Sequence, residues 1–189
     1  MTDTAVRDGT GRATRARVNS ENRLLVDSVS ADRVHISNHV NEDAYTITFQ
    51  TTPTTAGNLF FYLKNTNSNK DLVVWEMGIR PASEEGVEVK LDLDGDPVDG
   101  TTIKPVSATT SAGRNAQAVA EYGVNITGLT NGDLLNRVFF PAGQGTVYKD
   151  WRSGIVMPPN ESIGLYAVNG GITLNVDIMI DYHKAEDLA

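Results

Sequence analysis

The chain contains no cysteine, which excludes disulfides and thiolate metal sites. It has no apolar run approaching the roughly 20 residues that a helix needs to cross a bilayer. The opening Met1-Thr2-Asp3-Thr4-Ala5-Val6-Arg7 lacks the apolar core of a signal peptide. A soluble chain made in the cytoplasm, with no membrane partner, is therefore expected, and the absence of cysteine fits that compartment. There is no Gly-x-Ser-x-Gly elbow, no Walker loop and no strand-linked Gly-x-Gly-x-x-Gly; Gly143-Gln144-Gly145 is only a turn. Neither a repeat period nor a βαβ alternation is present, so a parallel α/β sheet is not expected.

What the chain does have is β patterning, clearest near its end. Ile172, Leu174, Val176, Ile178, Ile180 and Tyr182 alternate with Thr173, Asn175, Asp177, Met179 and Asp181. A strand turns successive side chains to opposite faces, so one face should be buried and the other wet. Ser162 to Val168 is a second extended run, and Asn169-Gly170-Gly171 between the two predicts a tight hairpin turn. A lone hairpin is barely stable in water, so the rest of the chain must supply a sheet. At 189 residues, one domain with a short extension can bury a core of its own.

Upstream, Leu24-Leu25-Val26 and Val34-His35-Ile36 are weak strand candidates, and Tyr45-Thr46-Ile47-Thr48-Phe49 alternates more firmly. Leu59-Phe60-Phe61-Tyr62-Leu63 is apolar on both faces and predicts a central strand. The Asn-rich 65–71 turn leads to Leu72–Ile79, stopped by Pro81. Val87–Leu93 alternates, and Asp94-Gly95-Asp96-Pro97 predicts a tight turn towards Thr101–Val106. Residues 107–118 suggest a long loop, with a short helix over Asn115–Tyr122 as the one helical candidate. Gly123–Leu129, Val138-Phe139-Phe140, Gly145–Tyr148 and Ile155-Val156-Met157 are further β pieces. Eight or more short strands predict an all-β, antiparallel two-sheet β-sandwich, jelly-roll or Greek-key like. Residues 24–189 form this domain, and 1–23 are an extended N-terminal arm.

The formal charge of −8 is uneven. Residues 1–23 carry Arg7, Arg12, Arg15, Arg17 and Arg23 against Asp3, Asp8 and Glu21, a net +2; the body carries −10. An acidic body resists nucleic acid, whereas the basic arm suits an acidic protein surface or is simply a solvated terminus. Trp151 beside Arg152, in the polar Lys149-Asp150-Trp151-Arg152 stretch, is a candidate interface anchor. The other aromatics, Trp75, Tyr62, Tyr148 and Tyr166, suit a core, an interface or a sugar-stacking face.

Catalytic and metal motifs fare poorly. Asp92, Asp94 and Asp96 resemble the start of a calcium loop, but its sixth and twelfth positions hold Pro97 and Ile103 instead of Gly and Glu. His35 and His39 have helical ligand spacing in a stretch that does not look helical, and His183 is far away in sequence. Glu84-Glu85 are adjacent and loop-borne, which does not indicate a glycosidase dyad. No catalytic residue, metal site or cofactor is expected, and the chain is not expected to be an enzyme. A scattered hydrolase site would need a His–carboxylate pair in a polar cleft.

Several stretches, in order, resemble tailed-phage virion structural proteins. Asp8-Gly9-Thr10-Gly11 leads to Ala16-Arg17-Val18-Asn19-Ser20-Glu21-Asn22-Arg23-Leu24-Leu25-Val26 and then Ser28-Val29-Ser30. Leu59–Asn65 with Asp71-Leu72-Val73-Val74, and Pro158–Leu165 with the final strands, are similar to later elements of that group. The likeness covers about half the chain; residues 81–150 match only in style. It implies a β-sandwich head protein, a cement or decoration protein on the capsid surface, partnered by the major capsid protein. A homo-oligomer follows from family habit, a trimer being favoured because it suits capsid threefold sites. The alternative is a tail-associated carbohydrate- or receptor-binding module.

Overall fold

The computed structural model describes residues 5–7, 13–15, 43–108, 115–142 and 146–183, with only the backbone at 5–7, 13–15, 148 and 150–153. The chain divides into two compact units, Met1–Asp32 and Arg33–Ala189. In the first, β1 (Ala5–Arg7) pairs antiparallel with β2 (Ala13–Arg15), Ala5 opposite Arg15 and Arg7 opposite Ala13. The weak strand candidates at 24–26 and 34–36 lie outside the described residues.

The second unit is the expected antiparallel two-sheet sandwich. Its strands are β3 (Ala44–Thr51), β4 (Leu59–Asn65), β5 (Asp71–Pro81), β6 (Glu85–Val98), β7 (Thr101–Thr102), β8 (Val106–Ser107), β9 (Ala118–Phe140), β10 (Val147–Met157), β11 (Ser162–Ala167) and β12 (Leu174–His183). One sheet has the order β10-β5-β12-β3-β8 and the other β4-β11-β6-β9-β7, five strands each. From β3 to β6 and from β9 to β12, consecutive strands alternate between the sheets, a jelly-roll-like winding. Among the described residues there is no helix.

The core lies between the sheets, and period-two alternation fills it. Leu174, Val176, Ile178, Ile180 and Tyr182 of β12 are buried there with Tyr45, Ile47 and Phe49 of β3. Phe61 and Leu63 of β4 and Ile163 and Leu165 of β11 face them from the other sheet. Phe49 stacks on Phe61 across the two layers, with ring centroids 5.1 Å apart. Each fully buried side chain of this kind contributes about 1.5–3 kcal/mol relative to exposure. The apolar run in β4 is central as expected, flanked by β11 on one side and by β9 on the other.

Three local expectations are corrected. First, β11 and β12 do not form a hairpin: β11 pairs with β4 and β6, whereas β12 pairs with β3 and β5. Asn169-Gly170-Gly171 instead carries the chain across the sandwich, with Gly170 and Gly171 at φ 74° and 72°. Second, Asp94-Gly95-Asp96 is not a turn but part of β6, paired with β9. Third, no helix forms at Asn115–Tyr122; β9 begins at Ala118 and runs unbroken for 23 residues.

That long strand closes the second sheet on itself. Its first part pairs with β4, Asn65 opposite Ala118 and Leu59 opposite Ile126. Its later part pairs with β6, from Val98 opposite Thr127 to Glu85 opposite Phe140. With β11 between β4 and β6, the four strands make a ring around a second small core of Leu59, Tyr62, Leu93 and Ile126. The necessary bending occurs at positive φ angles: Asp92 (57°), Gly95 (102°), Gly128 (82°), Asn131 (61°) and Gly132 (98°). Asp92 is where alternation breaks, so Val89 enters the main core but Leu93 enters the second one. Gly164 leaves room for this second core, since a Cβ there would come within 2.9 Å of Leu59 and 3.1 Å of Leu93.

Candidate functional site

One end of the sandwich carries a polar cleft of about 310 Å³. It is lined by Asp43 and Tyr45 at the start of β3, Asn67 and Lys70 from the β4–β5 turn, Asn115 and Gln117 just before β9, and Tyr182 near the end of β12. The turn is built by asparagines, whose side chains readily bond nearby backbone. Asn65 Nδ2 donates to the carbonyls of Lys70 and Met157, both at 2.9 Å, and its Oδ1 accepts from the Asn67 amide. Asn67 Oδ1 in turn accepts from the amides of Asn69 (2.8 Å) and Lys70 (3.0 Å). Lys70, so held, forms an ion pair with Asp43. Thr66 N donates to the Gln117 carbonyl at 2.9 Å, which fastens the segment before β9 to the same turn.

Two tyrosines floor the cleft. Tyr45 and Tyr182 meet edge to face, with centroids 6.0 Å apart and planes at 84°. Tyr182 is 3% exposed, and its hydroxyl is the one buried side-chain polar atom without a hydrogen-bond partner among the described residues. Burial pushes its phenol well above the usual tyrosine range, with Tyr45 and Asp43 adding to the rise. The Gln117 backbone tempers that rise but stays outside hydrogen-bond geometry. An unpartnered buried hydroxyl costs about 1–3 kcal/mol, so this one calls for an explanation.

A His–carboxylate pair does exist, elsewhere. On β12, His183 Nε2 lies 2.9 Å from Asp181 Oδ2, and Trp75 Nε1 of β5 donates to Asp181 Oδ1 at 2.6 Å. Both carboxylate oxygens are engaged and Asp181 is buried, so the group ties β5 to β12. It does not line the cleft. Among the described residues, no group of three or more His, Asp or Glu is arranged to hold a metal. Asp92, Asp94 and Asp96 are strung along β6. Asp94 Oδ2 accepts from Asn131 Nδ2 at 2.6 Å, and Asp92 pushes up the pKa of the Glu161 carboxyl beside it.

The residues expected to bind partners stand as follows. Arg12, Arg17 and Arg23, like His35 and His39, lie outside the described residues. Arg7 and Arg15 occupy β1 and β2, and their side chains are not described. Trp151 and Arg152 fall in β10 where its register against β5 breaks between Asp150 and Ile155; their side chains, too, are not described. The cleft residues carried little signal in the sequence. Tyr182 looked like the last core position of an alternating strand, and 65–71 like an ordinary polar turn. Glu85, expected in a loop, is fully buried at the start of β6. Compared with protein-family models, curated proteins and solved structures, the chain matches none.

Proposed function

We propose that this chain is a non-enzymatic structural protein of a tailed-phage virion: a decoration or cement protein that binds the major capsid protein on the outer head surface and stabilises the shell. The observation that carries this reading is the edge of β9. From Thr127 to Phe140 it pairs with β6 on one side and, among the described residues, with no strand on the other. Leu134, Leu135 and Phe139 stand 54%, 46% and 57% exposed along it. Proteins that stay apart blunt such edges, and exposed apolar patches mark surfaces that other chains cover. Besides residues 8–30, the resemblance to virion proteins falls on β4, the start of β5, β11 and β12, which are interior strands and bear on the fold type more than on a docking surface.

In this reading residues 1–23, with Arg7, Arg12, Arg15, Arg17 and Arg23, form a docking arm, and Trp151 and Arg152 belong to a contact surface. Arms of this kind gain contact area on docking. Removing residues 1–23 is expected to abolish stable decoration of capsid shells in a co-sedimentation assay while leaving the sandwich folded. A trimmed body that decorates shells as well as the full chain does would sink the arm model. A trimer is the proposed assembly. Analytical ultracentrifugation that finds only monomer at micromolar concentration, with and without shells, would remove it. The polar cleft favours a second reading, a tail-associated carbohydrate- or receptor-binding module.

A further inference from the structure

We infer that the cleft lined by Asp43, Asn67, Lys70, Asn115, Gln117 and Tyr182 is a binding site for a single neutral saccharide ring, whose hydroxyl groups supply the partner that the Tyr182 hydroxyl lacks. The inference rests on and narrows the second reading above, for this cleft alone, and stands whether or not the chain decorates phage heads.

Four properties point to that ligand. The first is charge: the carboxylate and ammonium in the cleft already pair with each other, so the site is electrically balanced. An anion would face Asp43, and a zwitterion would have to separate an ion pair before binding. The second is the mixture of donors and acceptors. Three amide side chains, a carboxylate, an ammonium and two phenols offer both kinds within one small space. A polyhydroxylated ring, each of whose hydroxyls donates and accepts, matches that mixture. The third is size, since about 310 Å³ lies at the lower end of ligand sites and suits one ring, not a nucleotide or a long chain.

The fourth is the orphaned hydroxyl itself. Tyr182 is nine-tenths and more buried, and the groups that act on its phenol, Tyr45 and Asp43, both line the cleft. Tyr182 itself lines the cleft, and its covered hydroxyl lies beside that floor. Asn115 and Gln117 on the rim are exposed. Their exposed amide side chains can turn to meet a ring, while the bond from Thr66 N holds the Gln117 backbone in place. A site that hydrogen-bonds a hydroxyl discriminates strongly against analogues without one, because its own buried groups are otherwise left unpaired.

The test uses the purified full-length chain and backbone-plus-amide ¹⁵N NMR. Titrants are the methyl glycosides of glucose, galactose and mannose, and N-acetylglucosamine, with inorganic phosphate and glycine as charged comparators. At least one saccharide is expected to shift the Asn67, Asn115 and Gln117 signals saturably, in the millimolar range. Tyr182→Phe, which removes only the hydroxyl, is expected to weaken that binding about tenfold, the equivalent of one hydrogen bond. Its thermal midpoint should not fall, because an unpaired buried hydroxyl is lost. Asn115→Ala, on the exposed rim, should also weaken binding without altering stability. The inference is overturned if no saccharide moves these signals, if phosphate or glycine saturates them instead, or if Tyr182→Phe binds the sugar as tightly as the parent.

Discussion

Replacing Glu85 with alanine is expected to cost about 3–5 kcal/mol of folding stability, more than any other single change proposed for this chain. The carboxylate is fully buried and accepts three backbone hydrogen bonds. Oε1 takes the amides of Gly86 (2.9 Å) and Asn169 (2.7 Å), and Oε2 takes that of Gly170 (3.0 Å). Asn169 and Gly170 form the crossing between β11 and β12, so this one side chain anchors the point where the chain changes sheets. Its neighbour bond, Val168 N to the Gly86 carbonyl at 2.8 Å, depends on the same arrangement. Alanine would strand those donors, and a truncated acceptor costs the desolvation of every group it leaves unpaired. Glu85→Gln should cost less, about 1–2 kcal/mol, because its carbonyl oxygen still accepts while its NH₂ faces a donor. Glu84→Ala, at an exposed neighbour, should fall within about 0.5 kcal/mol of the parent. Urea midpoints decide the matter: equal values for the Glu84 and Glu85 variants would show that the carboxylate does not hold the crossing.

Gly95→Ala is the second large effect, expected at about 2–4 kcal/mol. Gly95 has φ 102°, and a Cβ there would overlap the Gly128 carbonyl oxygen across the β6–β9 ribbon. Gly128, at φ 82°, has the reciprocal problem with the Asp96 carbonyl oxygen. Both obstacles are backbone, which cannot rotate away as a side chain would. Gly57 supplies the comparison: its φ is 80°, but a Cβ there meets nothing within 4 Å. Gly57→Ala should therefore show only the left-handed backbone penalty, about 1–2 kcal/mol. If Gly95→Ala unfolds no earlier than Gly57→Ala in denaturant, the close approach of the two strands is not what makes glycine necessary. Combining Gly95→Ala with Gly128→Ala should cost less than the sum, because an opened ribbon relieves both overlaps at once. Loosening the ribbon should also disturb the second core at Leu93 and Ile126, and with it the path by which β9 reaches its exposed edge.

The amino-acid sequence by itself determined that this is a β protein and where most strands lie. Alternation in Tyr45–Phe49, Val87–Leu91 and Leu174–Tyr182 is a local property of each stretch, and an extended backbone translates it directly into one buried face and one more open face; at Leu93 the positive φ of Asp92 overrides it. The apolar run Leu59–Leu63 likewise announced a strand covered on both sides. Which strand lies beside which was decided only by the tertiary structure. Asn169-Gly170-Gly171 has the conformational freedom for a hairpin and for a crossing alike. The choice rests on Glu85, 84 residues away from Asn169, and on partners for β11 and β12 that no local window contains. The same holds for β9, whose polar, glycine-bearing segments look like a helix and short strands until β4 and β6 supply both halves of its hydrogen bonding. The cleft is the extreme case. Its residues come from four separate segments, and the Tyr182 hydroxyl is unpaired because packing buried it and, among the described residues, set no hydrogen-bond partner against it.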